Sequence, residues 1–344
     1  AVLNNDVIGG VICGETSSPP SCPGLNEVDS TSVRLFSFGG FNSKHKQLAR
    51  YIKLEYQEMI RPLAAVPMLV RIMSPEDRTG RGGDHIPFRS RAFASMRFTA
   101  ANEHGDASNG ANYHDRQHTS DDVLGVDTNG DGAVDSFFVQ FNYLARNAVI
   151  NANAAAMTAR AVKTPTDFTG TRSGNVLNLE ITDPSNLGTY RVALRSTTND
   201  WDTVYTLSGA TVGAFPCNST GSLILSVAGV DASGVESLFS VEKIIAVSGS
   251  EEPVLQGRGG PRIRLLPNRP NPFDEATWLS FWVNTVPEYH LAVMRVTDLQ
   301  GRILEDLPVR LQEGLNEVLY THGYGVRGTF TYSLLIDGKA LDAR

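Results

Sequence analysis

The pattern of apolar residues changes near residue 160, and this change limits the folds that the chain can adopt. Before it, short apolar runs alternate with amphipathic stretches; Leu48, Tyr51, Ile52 and Met59, for example, follow the three- and four-residue spacing of a helix face. After it, turns rich in Thr, Ser and Gly separate short runs of β-branched residues. The first pattern predicts a mostly parallel sheet with helices on both faces, and the second predicts β-sandwiches. The predicted fold class is therefore multidomain, an α/β part followed by two all-β sandwiches.

The elements of the α/β part alternate along residues 1–158. In chain order, the patterns predict strand 1–8, strand 33–38, helix 46–60, strand 68–72, strand 93–98 and helix 136–158. The β part divides at residues 249–262, where a Gly- and Glu-rich stretch without periodicity is typical of a linker. We therefore predict domains at 1–158, 163–248 and 263–344.

Charge and hydropathy exclude two broad classes of partner. The net charge of −7 argues against nucleic acid, whose binding proteins carry basic, clustered surfaces. No run approaches the ~18 apolar residues of a membrane-spanning helix. The chain starts inside an apolar run, Ala1-Val2-Leu3, with no Met or basic region before it, so we expect a polypeptide upstream of Ala1 in the natural protein.

Cys13 and Cys22 flank a loop rich in Ser and Pro, a spacing that suits a local disulfide in an oxidising compartment and leaves Cys217 as a thiol.

Three short motifs carry groups that suit a metal site. Asp6 lies towards the C-terminal end of the first predicted strand, the end at which open α/β sheets bind ligands. Asp84 follows paired glycines and could orient a metal-bound imidazole or water. A later loop holds His114 and His118, and neutral imidazole is a good zinc ligand. Each also has a plainer interpretation: a turn cap for Asp6, a helix cap beside a surface imidazole for Asp84, and solvated side chains for the loop histidines.

A separate motif at residues 127–135 predicts a calcium loop. It has acids or amides at positions 1, 3, 5 and 9 and glycine at position 6, as in the first nine positions of an EF-hand loop. Position 12 is Phe138, so the bidentate acid is missing, and a solvated acidic turn is the alternative. The candidate calcium ligands are Asp127, Asn129, Asp131 and Asp135.

The metal-site motifs, taken together and in order, resemble a known family. Residues 4–9, 83–88 and 117–122 resemble the motifs "N-x-D-M-I-G", "S-D-H-x-P-F" and "Y-H-T-x-x-D" of bacterial leucyl aminopeptidase-like zinc metallopeptidases. The resemblance implies that residues 1–158 are the C-terminal half of such a peptidase domain. It further implies a peptide substrate and two zinc ions in the complete enzyme.

The same resemblance implies roles for individual residues. Asp6 and His118 would hold one zinc of the pair, Asp84 would support them, and Asn102 with Glu103 would line the specificity pocket. The family's first zinc histidine, bridging aspartate and glutamate base would lie upstream of Ala1, so we expect this chain alone to bind no zinc tightly and to be inactive. Gln117 stands where the family often has Tyr. Tyr113 is then a candidate source of that hydroxyl, and His114 is an alternative ligand.

The β part resembles two further families. Residues 190–192 and 230–237 resemble the central strand and the late "V-D-x-x-G-x-x-S" turn of fibronectin type III domains. Residues 263–344, with "P-N-P-F", "D-x-x-G-R" and "L-x-x-D-G-K", resemble the C-terminal sorting domain of type IX secretion substrates, a small immunoglobulin-like sandwich. That resemblance implies export across the outer membrane to the exterior or cell surface and a partner in the type IX secretion machinery. We predict hairpin turns at Gly301 and Gly338, and we expect strand 330–336 to be an exposed edge that docks a partner.

Three functions therefore remain open from the sequence. The first is an exported zinc peptidase, most simply an aminopeptidase. The second is a non-catalytic secreted cargo or adhesion protein with a degenerate peptidase domain. The third is a zinc acyltransferase of the glutaminyl cyclase type, which shares the Asp-His-x-Pro-Phe loop but usually has an acid where Gly83 stands.

Overall fold

Two compact units make up the chain. One consists of Ala1–Lys163 with Ser233–Phe239, and the other of Thr164–Ala232 with Ser240–Arg344. The structure is a computed structural model, and it describes residues 1–13, 26–78, 82–103, 120, 122–196, 200–217, 222–245, 263–273, 276–321 and 328–343.

The first unit contains the predicted α/β pattern. Its elements are β1 (Val2–Asn5), β2 (Ser32–Phe36), α1 (Lys44–Glu55), β3 (Leu69–Ile72), α2 (His85–Ser90), β4 (Ser95–Ala100), β5 (Gly125–Val126), β6 (Ser136–Phe137) and α3 (Phe141–Arg160). A π-helical turn, Tyr56–Ile60, and a 3₁₀ turn, Arg61–Leu63, extend α1. The α/β prediction is therefore confirmed.

The sheet of the first unit is mixed. Its strand order is β1-β4-β2-β3; β1 is parallel to β4, β2 is parallel to β3, and β2 is antiparallel to β4. All five residues of β2 and all six of β4 are buried, so neither strand alternates buried and exposed residues. Both are interior strands of this sheet, and the burial of every residue shows that both of their faces are covered.

The closing helix starts five residues later than its pattern predicts. Ser136–Phe137 pairs with Gly125–Val126 as a short hairpin, and Gln140 then caps α3 by accepting a hydrogen bond from the Tyr143 N–H at 2.5 Å. The Tyr143 hydroxyl donates to the Ser32 carbonyl at 2.6 Å and accepts from the Ala101 N–H at 3.0 Å. These bonds fix α3 against the ends of β2 and β4.

The second unit consists of β-strands among its described residues. The strands of its first sandwich are β7 (Asp167–Ser173), β8 (Val176–Thr182), β9 (Thr189–Arg195), β10 (Thr203–Ser208), β11 (Val212–Pro216), β12 (Leu223–Val230) and β13 (Lys243–Ile245). Those of the second are β14 (Ile263–Leu265), β15 (Ala276–Val283), β16 (Ala292–Asp298), β17 (Ile303–Val309), β18 (Gly314–Thr321), β19 (Phe330–Ile336) and β20 (Lys339–Ala343). The first sandwich pairs a β10-β9-β12-β13 sheet with a β11-β8-β7 sheet, and the second pairs a β14-β15-β18 sheet with a β17-β16-β19-β20 sheet.

Each sandwich has its own apolar core, so the predicted fold class, α/β followed by two all-β sandwiches, is correct. Gly301 and Gly338 both have positive φ at hairpin turns, as expected. The edge prediction is wrong, because Phe330–Ile336 is hydrogen-bonded on one side to β16 and on the other to β20. β16 pairs with it along its whole length and β20 pairs with residues 333–336, so the outer strands of that sheet are β17 and β20.

Candidate functional site

The carboxylate of Asp6 lies at the end of β1, as the sequence predicts. Its side chain is 37% exposed, and Oδ2 is 3.2 Å from Nη2 of Arg97, a fully buried arginine in the middle of β4. The Asp6 N–H donates to the carbonyl of Phe98, which extends the pairing of β1 with β4 by one residue. A buried guanidinium is therefore the charged partner that the structure gives to this predicted zinc ligand.

Arg97 belongs to a buried network of alternating charges beneath the Gly82-Gly83 loop. Its Nη1 lies 2.8 Å and 3.0 Å from the two carboxylate oxygens of Asp77. Arg78 contacts Asp77 and also donates to Glu103, whose other oxygen accepts from Nη2 of Arg34 at 2.5 Å. With Asp6, three guanidinium groups face three carboxylates, a balance that offsets the cost of removing these charges from water.

Burial and the neighbouring negative charges shift the pKa of these arginines in opposite directions. Burial lowers the pKa of Arg34 and Arg97, and the neighbouring carboxylates of Glu103 and Asp77 oppose that shift. No sequence motif pointed to this network. Its visible signals are Arg34 and Arg97, each a charged residue within a predicted strand of mostly apolar residues.

The two predicted pocket residues make internal contacts. Glu103 is 3% exposed and lies between Arg34 and Arg78, and Asn102 is also 3% exposed. The Asn102 amide donates to the carbonyls of Val11 and Glu27, both at 3.1 Å. Their assignment to a substrate pocket stays a prediction.

Asp84 and His85 have different environments although they are adjacent. Asp84 is the exposed residue before α2, and its side chain makes no capping hydrogen bond. His85 is 1% exposed, and its Nε2 lies 3.0 Å from the carbonyl of Glu76. A carbonyl only accepts, so Nε2 carries the proton; burial lowers the pKa of this imidazole. The histidine of this motif is therefore a buried structural group rather than a surface imidazole.

His45 is a second buried histidine, and no sequence motif pointed to it. His45, in the first turn of α1, accepts a hydrogen bond from the Ser95 N–H at 3.1 Å through Nδ1. Burial, helped by the positive charge of Lys44, lowers its pKa to about 4. The neutral form is needed for this contact, because an imidazolium has no acceptor.

The remaining predicted zinc-site residues, Tyr113, His114 and His118, lie outside the described residues, as does Cys22. Within the described ranges, no three His, Cys, Asp or Glu side chains converge to hold a metal ion. A structural zinc needs four ligands, and a catalytic zinc needs three. The described part of the chain therefore does not by itself fit a zinc ion. Cys13 is disulfide-bonded, and Cys217 is a buried thiol.

The predicted calcium loop folds around its own backbone amides. Asp127 accepts hydrogen bonds from the N–H groups of Asn129, Gly130 and Gly132. These bonds, above all the one from Gly132, lower the pKa of its carboxyl. Asp135 accepts from both the N–H and the hydroxyl of Thr128. The loop is exposed, and calcium binding there stays a prediction.

Comparison with curated proteins finds a similarity to a peptidase over part of the chain. No protein family model matches the chain. A "Probable zinc metalloprotease" of Phaeosphaeria nodorum is 33% identical over 110 residues, a match that covers 30% of this chain and 21% of that protein. The match thus spans about a fifth of that relative's length.

The solved structures give weak likenesses. Dimeric latent PorU from Porphyromonas gingivalis is 14% identical with a TM-score of 0.22, covering 54% of this chain and 19% of that one. A two-domain fibronectin type III segment of chicken tenascin is 12% identical with a TM-score of 0.21, covering 53% of this chain and 97% of that one. TM-scores this far below 0.5 identify neither a fold nor a function. Among the described residues, no helix is both long enough and apolar enough to cross a membrane.

Proposed function

We propose that the protein is a secreted zinc-dependent peptidase whose activity is that of an aminopeptidase. The observation that carries the proposal is the 33% identity over 110 residues to a probable zinc metalloprotease. It is supported by the position of Asp6, a partly exposed carboxylate at the end of a strand in an α/β sheet, where such sheets bind ligands.

The proposal assigns the zinc ligands to more than one part of the natural protein. Asp6 and His118 would hold one zinc of a pair, with His114 as the alternative to His118. The other ligands and the general base would come from polypeptide upstream of Ala1. Because the described residues do not form a ligand set, we assign no reaction step to them.

Metal analysis and peptide hydrolysis of the complete secreted gene product test the proposal. We expect about two zinc ions per molecule and release of p-nitroaniline from aminoacyl-p-nitroanilides. Asp6→Asn should remove one zinc and nearly all activity. Cyclisation of N-terminal glutaminyl peptides without hydrolysis would instead identify a glutaminyl cyclase-like acyltransferase.

Asp77→Asn is the matched control. Asp77 is the other carboxylate on Arg97, but no described contact links it to Asp6. If both substitutions lower the melting temperature and leave the zinc content unchanged, Asp6 is only the partner of Arg97 and the peptidase proposal is wrong.

A second candidate function is a non-catalytic secreted protein with a degenerate peptidase domain. Its specific support is the buried network, in which arginines already neutralise Asp6, Asp77 and Glu103. This candidate predicts a complete gene product that holds no zinc and hydrolyses no peptide.

Export is the remaining part of the proposal. The disulfide at Cys13 supports an oxidising compartment. We propose that residues 263–344 are a sorting domain read by the type IX secretion machinery. Fused to a periplasmic reporter in a host with that system, this domain with its native C-terminal tail should send the reporter outside the cell. A reporter that stays periplasmic would show that the domain is an ordinary β-module.

A further inference from the structure

Glu317 is a buried carboxylate in β18 whose two oxygens are both hydrogen-bonded. Its side chain is 3% exposed. Oε1 accepts from Nη2 of Arg269 at 2.9 Å and from the hydroxyl of Ser280 at 3.2 Å. These two donors belong to the same C-terminal sandwich as Glu317, and Arg269 balances its charge.

The other oxygen of Glu317 binds the preceding sandwich. Oε2 accepts from the backbone N–H of Ser222 at 2.6 Å and from the Ser222 hydroxyl at 2.5 Å. Ser222 comes directly before β12 and is 3% exposed. Hydrogen bonds to an ionised acceptor are short and strong, and they are stronger when water is excluded, as it is here.

We propose that Glu317 forms an interdomain contact that fixes the C-terminal sandwich in one orientation against the first sandwich. Separating the two sandwiches would leave the N–H and hydroxyl of Ser222 without this acceptor and would remove half of the donors to Glu317. Of these hydrogen bonds to the Glu317 carboxylate, those from Arg269 and Ser280 would then remain. The linker expected at 249–262 would therefore not set the orientation of the C-terminal sandwich. This inference does not depend on the peptidase proposal.

Distance measurements between spin labels on the full chain test this interdomain contact. Thr206→Cys in β10 and Gln300→Cys in the turn after β16 place labels at exposed positions, and Cys217 is buried. We expect one narrow distance peak in the labelled protein that keeps Glu317, and we expect Glu317→Ala in the same labelled protein to lose that peak. Ser280→Ala is the matched control, because it removes a donor to Glu317 without touching Ser222, and it should keep the narrow peak.

Hydrogen exchange covers the case in which Glu317→Ala disturbs its own sandwich. The amide of Ser222 should lose protection in Glu317→Ala, while the amides of β15 and β16 stay protected. Ser222→Ala should broaden the distance peak less, because it keeps the N–H donor, and it should add nothing to Glu317→Ala. A broad peak in unchanged protein, or a narrow peak and a protected Ser222 amide in Glu317→Ala, would overturn the proposal.

Discussion

Single residues show how strongly burial decides the role of a charged side chain. In the first sandwich, Arg195 and Glu242 form a bidentate pair with distances of 2.6 Å and 2.8 Å, and both side chains are 1% exposed. On the second sandwich, Arg295 and Asp306 form the same geometry at 2.7 Å for both bonds, but at an exposed position. The chemistry is the same in the two pairs, so any difference in their effect on stability comes from burial.

Glu242→Ala should lower the free energy of unfolding by about 3–5 kcal/mol, because it leaves a buried guanidinium without its carboxylate. The double variant Arg195→Met, Glu242→Leu should recover most of that loss, since it removes both charges. Asp306→Ala is the control and should have a far smaller effect, since water replaces the lost partner. Urea unfolding measures all three. Equal losses at the buried and exposed pairs would contradict this account.

His45 should make the protein less stable in mild acid. Its pKa is about 4 in the folded chain and ~6.5 in an unfolded one, so above that range both states are neutral and stability is complete. As the pH falls from 6.5 towards 4, the unfolded state binds a proton that the folded state excludes, and the free energy of unfolding decreases. The charges of Lys44 and Arg89 act in the same direction.

Urea titrations at pH 7.5 and 5 measure this effect. His45→Asn keeps a hydrogen-bond acceptor for the Ser95 N–H and should reduce the difference between the two pH values; His85, whose pKa is also lowered, should account for part of the remainder. His290→Asn, at a fully exposed position, is the control. An unchanged pH dependence in His45→Asn would show that His45 does not titrate as described.

At the scale of elements, the β5–β6 hairpin is packed tightly at one glycine. A Cβ on Gly125 would lie 2.2 Å from the carbonyl oxygen of Ser136 and 3.0 Å from the Cα of Phe137. Both are backbone atoms of the opposite strand, so no side chain can move aside. The hairpin therefore opens if this position gains a side chain.

Gly125→Ala should lower stability by about 1–3 kcal/mol through overpacking and should remove hydrogen-exchange protection from β5 and β6. Gly10→Ala is the control, since a Cβ there meets no atom within 4 Å. If both variants keep the hairpin amides protected, the close approach of the two strands is not rigid.

The loop of residues 127–135 connects the two strands of this hairpin, and calcium should stabilise it. A ligand that binds only the folded state raises the melting temperature. The melting temperature should therefore be higher in about 5 mM calcium, on the order of extracellular concentrations, than in the presence of a chelator. Asp131→Asn should reduce the shift, and magnesium should give less. Identical melting temperatures with calcium and with chelator would leave the loop as a solvated acidic turn.

At the scale of the whole molecule, the peptidase proposal depends on how many zinc ligands the 344-residue chain contains. The prediction counts two, Asp6 and His118, whereas stable sites have three or four. After dialysis, elemental analysis should find less than stoichiometric zinc in the isolated chain. One or two retained zinc ions would show that this chain holds a complete ligand set.

Local pattern alone predicted much of the architecture. The change of period near residue 160 predicted α/β followed by all-β, and the turns at Gly301 and Gly338 were placed correctly. Helix starts were less accurate, because the capping bond of Gln140 and the pairing of Ser136–Phe137 decide where α3 begins. Apolar periodicity and turn chemistry act over a few residues, so they can be read directly from the sequence.

Only the tertiary structure decided which charges meet. Asp6 and Arg97 lie 91 positions apart in the chain, and Ser222 and Glu317 lie 95 apart. Likewise, the sequence of Phe330–Ile336 does not distinguish an edge strand from an interior one, and its two neighbours make it an interior one. The sequence by itself determined the elements and their order. Strand order and burial decided the partners, because the energy of a charge or an unpaired strand depends on what the rest of the fold places beside it.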